Sequence, residues 1–169
     1  MTVTRWRWVR TTTGVEVDPA GEDDVTELGD EEAILRTCRT LAVVGLSPRA
    51  ERPSHRVASY LKEQGYTIVP INPQVGEILG EVVYPDLLSV PGPVEVAVVF
   101  RRSDGLAGVV DQAIAVGARA VWMQEGVVDQ QAAAKARAAG LLVVMDKCMR
   151  KEHLRLAHQE RGGFHEQDE

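Results

Sequence analysis

The chain has 169 residues, 44% hydrophobic and 26% charged, which suits a single globular domain able to bury one core. Its net charge of −6 argues against a general nucleic-acid binder, a class that is usually basic. No apolar run nears the roughly 20 residues of a membrane span, the start MTVTRWRWVR lacks the apolar stretch of a secretory signal, and the two cysteines, Cys38 and Cys148, make no disulfide framework, so a cytoplasmic protein with reduced thiols is expected.

Residues 1–29 differ from the rest. Trp6 and Trp8 alternate with Arg5, Arg7 and Arg10, and an acidic run follows through Glu16, Asp18, Glu22, Asp23, Asp24 and Glu27. A solvated, peripheral arm is one reading. A short hairpin over TRWRWVRTTTGVEV with Gly14 at or near its turn is another. Stacking of the tryptophans on a ligand's base is a third.

From Asp30 the pattern is regular, and a domain is expected over 30–157. Asp30 is expected to cap a first helix, with Glu31 and Glu32 in the turn where the helix dipole favours acid and with Ile34, Leu35 and Cys38 on one face. Leu41 to Gly45 reads as a strand buried on both faces. Ser54 is expected to cap the next helix, which ends at Gly65. Thr67 to Asn72 is a second strand, followed by a loop with Pro73, Gly76 and Gly80, a short strand from Val82 to Tyr84, and a helical turn from Asp86. Val94 to Phe100, Ala118 to Gln124 and Leu141 to Asp146 are further strands. The segments from Ser103 to Val116 and from Asp129 to Ala139 are helices, each closed by a glycine. MRKEHLRLAHQ reads as a last helix, and 158–169 as a fraying tail. This alternation predicts an α/β, Rossmann-like doubly wound fold: a mostly parallel sheet of five or slightly more strands with helices on both faces.

Ligands of such sheets bind beyond the carboxyl ends of the strands. After the first strand, Gly45 allows the tight turn, and the helix start near Ser54 offers backbone N–H groups to an anion. The dinucleotide fingerprint G-x-G-x-x-G would need glycine at Ser47 and Ala50, where there is none. Arg49, Arg52, Arg56 and Lys62 instead face one acid, Glu51, between Gly45 and Lys62, and His55 adds charge when protonated. Such a cluster suits a polyphosphate. Loop arginines that only keep a surface soluble are the alternative. The second strand ends in Asn72-Pro73 rather than in the acid that holds the ribose of NAD, and no arginine stands near to take an NADP phosphate.

The segments VVGLSPRAERPSHRVASYLKEQGY, IVPINP, VFRRSD, VWMQEGV and VVMDKCMRKEH, in this order, resemble the small stand-alone CoA-binding proteins, which are similar to the CoA-binding domain of the succinyl-CoA synthetase alpha subunit. The likeness covers about residues 31–157. It implies a Rossmann-like domain that binds coenzyme A or an acyl-CoA. Gly45, Leu46, Ser47 and Pro48 would line the turn under pantetheine and diphosphate. Arg52, Ser54, His55 and Arg56, with Arg49, would hold phosphate. Asn72 and Pro73 would lie near the adenosine. Phe100, Arg101 and Arg102 would flank the ligand, and Gln124, Glu125 and Gly126 would form a turn beside it, with Glu125 opposing a phosphate unless it points away. The synthetase's phosphorylated histidine lies in a second domain, and none of His55, His153, His158 and His165 matches it, so a non-catalytic binding protein is expected.

Cys148 is the candidate for chemistry, as a redox thiol between Lys147 and a downstream His153. No tight His/Cys spacing suggests a metal. An NAD(P)-dependent oxidoreductase and a scaffold with a decayed nucleotide site are the alternatives to CoA binding. The sequence names no protein partner or oligomeric state.

Overall fold

The computed structural model describes residues 9–11, 14–16, 29–74, 76–101 and 105–162. Strands β1 (Val9–Thr11) and β2 (Gly14–Glu16) pair antiparallel, with Thr11 opposite Gly14, so the hairpin reading of the arm holds for these residues. The rest of the segment 1–28 lies outside the described residues, Trp6 and Trp8 included.

Helix α1 spans Asp30–Thr37. Its N-cap is Gly29 rather than Asp30; Asp30, Glu31 and Glu32 fill the first turn, and Ile34 and Leu35 are buried. The chain continues through β3 (Thr40–Val44), α2 (Pro53–Glu63), β4 (Thr67–Ile71), β5 (Glu77–Ile78), β6 (Glu81–Val82), β7 (Val96–Val99), α3 (Leu106–Ala115), β8 (Ala120–Met123), α4 (Gln130–Ala138), β9 (Leu142–Val144) and α5 (Met149–Gly162). Asp129, expected as the first residue of this helix, is the N-cap of α4, and its carboxylate accepts the Ala132 N–H at 3.0 Å. Three further expectations need correction. Arg52, not Ser54, is the N-cap of α2, because Pro53 takes the first helical position, where its missing N–H costs nothing. The strand expected over Val82–Tyr84 is a small hairpin of β5 and β6, after which Tyr84 bridges Ile71 in parallel. Helix α5 runs on to Gly162, through the first five residues of the stretch 158–169 read as tail.

Five parallel strands form one sheet in the order β4-β3-β7-β8-β9, every neighbouring pair in parallel register. Numbered along the chain, these strands lie 2-1-3-4-5, so the winding reverses between β3 and β7. The fold is Rossmann-like and doubly wound, as the alternation predicted. Successive residues of each strand point to opposite faces, which divides the interior in two. Ala42, Val44, Ala97, Val99, Val121 and Met123 pack under α3 and α4. Leu41, Val43, Val96, Val98, Ala120 and Trp122 pack under α1, α2 and α5. Because both faces are covered, β7 and β8 are buried at every residue. That is why their sequences, VAVV and AVWM, are uniformly apolar. No helix among the described residues is long and apolar enough to cross a membrane.

Candidate ligand site

The reversal of winding opens a crevice at the carboxyl ends of β3 and β7, the usual ligand position in such a sheet. Gly45 sits there with φ +84, and a Cβ in its place would meet Arg101 Cγ at 3.4 Å and Phe100 Cβ at 3.7 Å. The turn therefore favours glycine for its conformation, while a Cβ would meet these neighbours at ordinary contact distance. The Gly45 N–H donates to the Ile71 carbonyl and the Phe100 N–H to that of Val44, which locks the ends of three strands together. A recess of about 90 Å³ lies here, lined by Gly45, Pro73, Asp86, Leu87, Arg101 and Gln112 among others. Asp86, Leu87 and Gln112 were not foreseen as lining residues. They carry no motif and meet the recess only because the segment after Tyr84 folds over α3, where the Leu87 N–H bonds Gln112 Oε1 at 3.0 Å.

The loop between β3 and α2 is shaped by its own polar groups. Ser54 is buried, and its hydroxyl accepts the Ser47 N–H at 3.0 Å, while Ser47 Oγ accepts the Arg49 N–H at 3.2 Å. Leu46 is fully buried and its carbonyl accepts from Asn72 Nδ2 at 3.0 Å, so the Leu46 side chain belongs to the core rather than to a ligand surface. Asn72 also accepts the Gln74 N–H at 3.0 Å. Its amide thus joins the first loop to the second, a task an acidic side chain could not perform because it has no N–H to give.

Around this frame the charge is free. Pro48, Arg49, Arg52, Arg56, Pro73 and Arg101 are exposed and His55 is half-buried. Among the described residues none of these four arginines has a carboxylate at ion-pair distance, whereas Arg36, Lys62, Lys147 and Lys151 do. Lys62 therefore leaves the phosphate cluster: it pairs with Glu81 at 3.2 Å and donates to the Leu79 carbonyl. The first turn of α2 carries no acid and no side-chain cap. Arg102 lies outside the described residues.

At the ends of β8 and β9, Glu125 is exposed and salt-bridged to Lys151 at 2.7 Å, which raises the Lys151 pKa and gives the carboxylate a cationic partner. Gly126, with φ +82, donates its N–H to Asp146 Oδ1 at 2.8 Å. Asp146 itself has φ 60, a left-handed conformation that aspartate tolerates better than most residues. Lys147 pairs with Glu31 of α1, and its carbonyl accepts from Trp122 Nε1 at 2.8 Å. Cys148 is half-buried at the start of α5. The downstream His153 is engaged by other residues: its Nδ1 is bonded to Tyr60 Oη at 2.8 Å, with both Tyr60 and Tyr66 edge-on to its ring. A second recess, of about 750 Å³, lies at the amino ends of β3 and β4, lined by Arg39, Tyr66, His153 and Leu156 among others; it holds none of the expected ligand residues. Among the described residues no group of three His, Cys, Asp or Glu is placed to hold a metal.

A family model described as a CoA binding domain matches residues 39–154. The chain belongs to this family. Its domain spans all five parallel strands and the start of α5. An uncharacterized protein of Bacillus subtilis (strain 168), YneT, is 38% identical over 120 residues, which are 71% of this chain and 89% of the relative. The structure of a hypothetical protein from Pyrococcus horikoshii OT3 is 38% identical, covers 79% of this chain and 95% of its own, and superposes with a TM-score of 0.74. The fold is also shared with the dinucleotide forming acetyl-coenzyme A synthetase 1 of Ca. Korarchaeum cryptofilum, at 24% identity and a TM-score of 0.58 over 67% of this chain and 28% of that one. Family membership favours the CoA-binding reading of the domain over the nicotinamide one.

Proposed function

We propose that this chain is a non-catalytic binder of coenzyme A or an acyl-CoA, with the ligand lying across the carboxyl ends of β3, β4, β7 and β8. One observation carries the reading: Arg49 and Arg52 before α2, Arg56 early in α2 and Arg101 beside Gly45 are all exposed, with no acidic partner among the described residues. The β3–α2 loop and the uncapped start of α2 would take the diphosphate and the ribose phosphate through charge-assisted contacts. Ser47, Pro48 and Gly45 would lie beneath the pantetheine, and Pro73 beside the adenosine. Ser54 and Asn72 act on the ligand only indirectly, by holding the two loops.

Isothermal calorimetry with CoA, dephospho-CoA, NAD and NADP tests this. CoA is expected to bind, dephospho-CoA more weakly, and the nicotinamide cofactors not at all. Arg52→Ala combined with Arg56→Ala should weaken CoA by about 2–4 kcal/mol, from roughly 1.5–3 kcal/mol per charge-assisted contact, less than additively. No heat with CoA at millimolar concentration would refute the reading. Unchanged affinity in the double variant would reduce the arginines to surface charge.

A further inference from the structure

Gln124 has the buried side-chain nitrogen that stands without a partner among the described residues. It ends β8 and is 3% exposed. Its backbone is fully used, the N–H donating to the Val99 carbonyl at 3.1 Å and the carbonyl accepting from Val127 at 2.9 Å. Its Oε1 accepts the Met149 N–H, the first of α5, at 3.3 Å. That contact fixes the amide's orientation, because a nitrogen in the same place would meet another donor. Nε2 is therefore left with hydrogens and nothing to receive them. Native proteins keep few such groups, since a buried unpaired donor loses its water without compensation.

The surroundings fit an acceptor. The amide head touches the start of a 14-residue helix, whose first N–H groups find no carbonyl within the helix and whose dipole is positive there. Cys148 lies beside it, half-buried. Of the carboxylates in the neighbourhood, Glu125 is held by Lys151 and Asp146 accepts the Gly126 N–H. This junction is on the same sheet end as the arginine loop. Two strand spacings, about 10 Å, separate β3 from β8, and one more leads to β9. The pantetheine arm of a CoA anchored by its phosphates at Arg49–Arg56 is long enough to cross that span.

We infer that the junction of β8 and α5 receives the sulfur end of the ligand and that Gln124 Nε2 donates to a thioester carbonyl oxygen, so that the chain prefers an acyl-CoA to free CoA. The inference rests on the CoA reading above. A thiol is a poor acceptor and leaves the amide unsatisfied, whereas a thioester carbonyl is a good one. No bond is made or broken.

The test is calorimetry of the whole chain with CoA, acetyl-CoA and S-ethyl-CoA, the last matching acetyl-CoA in length but lacking the carbonyl oxygen. Acetyl-CoA should bind about tenfold more tightly than S-ethyl-CoA, the size of one buried hydrogen bond. Gln124→Met should bind acetyl-CoA and S-ethyl-CoA equally. Equal affinities in the parent chain overturn the inference and leave CoA binding intact, and that comparison needs no variant. A preference that survives Gln124→Met removes the glutamine from it. No binding of any of the three overturns the CoA reading and this inference together.

Discussion

Cys38 and Cys148 sit in opposite surroundings. Cys38, at the end of α1, is 1% exposed, and burial pushes its thiol pKa up, opposed by a contact with Thr37. Cys148 is half-buried at the strand ends, within the region a CoA would cover. A thiol-alkylating reagent at neutral pH should modify Cys148 in the folded chain and spare Cys38, and saturating CoA should slow the reaction at Cys148. Peptide mass spectrometry reads both sites. Modification of Cys38 first, or no protection by CoA at any concentration that binds, would contradict the placement. Asn72 shows how one residue serves two ends. It lacks the carboxylate of a nicotinamide site and has an N–H that holds Leu46, so the loop after β3 is tied to the end of β4 by this side chain.

Helix α5 closes one face of the sheet. Met149 and Leu156 are buried, Arg36 of α1 reaches Glu160 at 2.8 Å, and His153 is wedged against α2. Burial holds the His153 pKa below its ordinary 6.5, with Glu160 pulling it up and Arg39 pushing it down. The neutral ring is the form that can accept the Tyr60 hydroxyl at Nδ1. The unfolded chain then binds a proton from about pH 6.5 downward while the folded chain does not, so folding stability falls across that window and levels off below the folded value. His153→Gln keeps an acceptor for Tyr60 and removes the titration. Its loss of melting temperature between pH 7.5 and pH 5.5 should be smaller than that of the parent chain. An identical loss in both would show that this ring does not couple α5 to pH.

The molecule as a whole rests on two apolar layers divided by the sheet. Their buried members run from Ile34 to Leu156. The family match begins at residue 39 and ends at residue 154, inside those limits. A chain that starts at Gly29 is therefore expected to fold and to bind CoA with unchanged affinity. Thermal melting and calorimetry check it, and a loss of cooperative unfolding or of binding would give residues 1–28 a part in the domain.

The periodicity of the sequence determined the sheet and its helices, because residues buried on both faces must be apolar at every position, as VAVV and AVWM are, and because glycines and Asp129 mark helix ends by local chemistry. Gly45 and the run of arginines were legible for the same reason, since a tight turn and a local excess of positive residues are read along the chain. The tertiary structure alone decided what the polar side chains do. Ser54 reads as a cap, yet Pro53 shifts the helix start and turns its hydroxyl to Ser47. Lys62 counts as positive charge in the loop until Glu81 is brought beside it. His153 stands five residues after Cys148, and the packing of α5 on α2 gives it to Tyr60. Gln124 becomes an unpaired donor only when α5 presents Met149 to its oxygen. Burial follows from pattern along the chain, whereas a hydrogen bond needs its partner within about 3 Å, and in this fold those partners come from other elements.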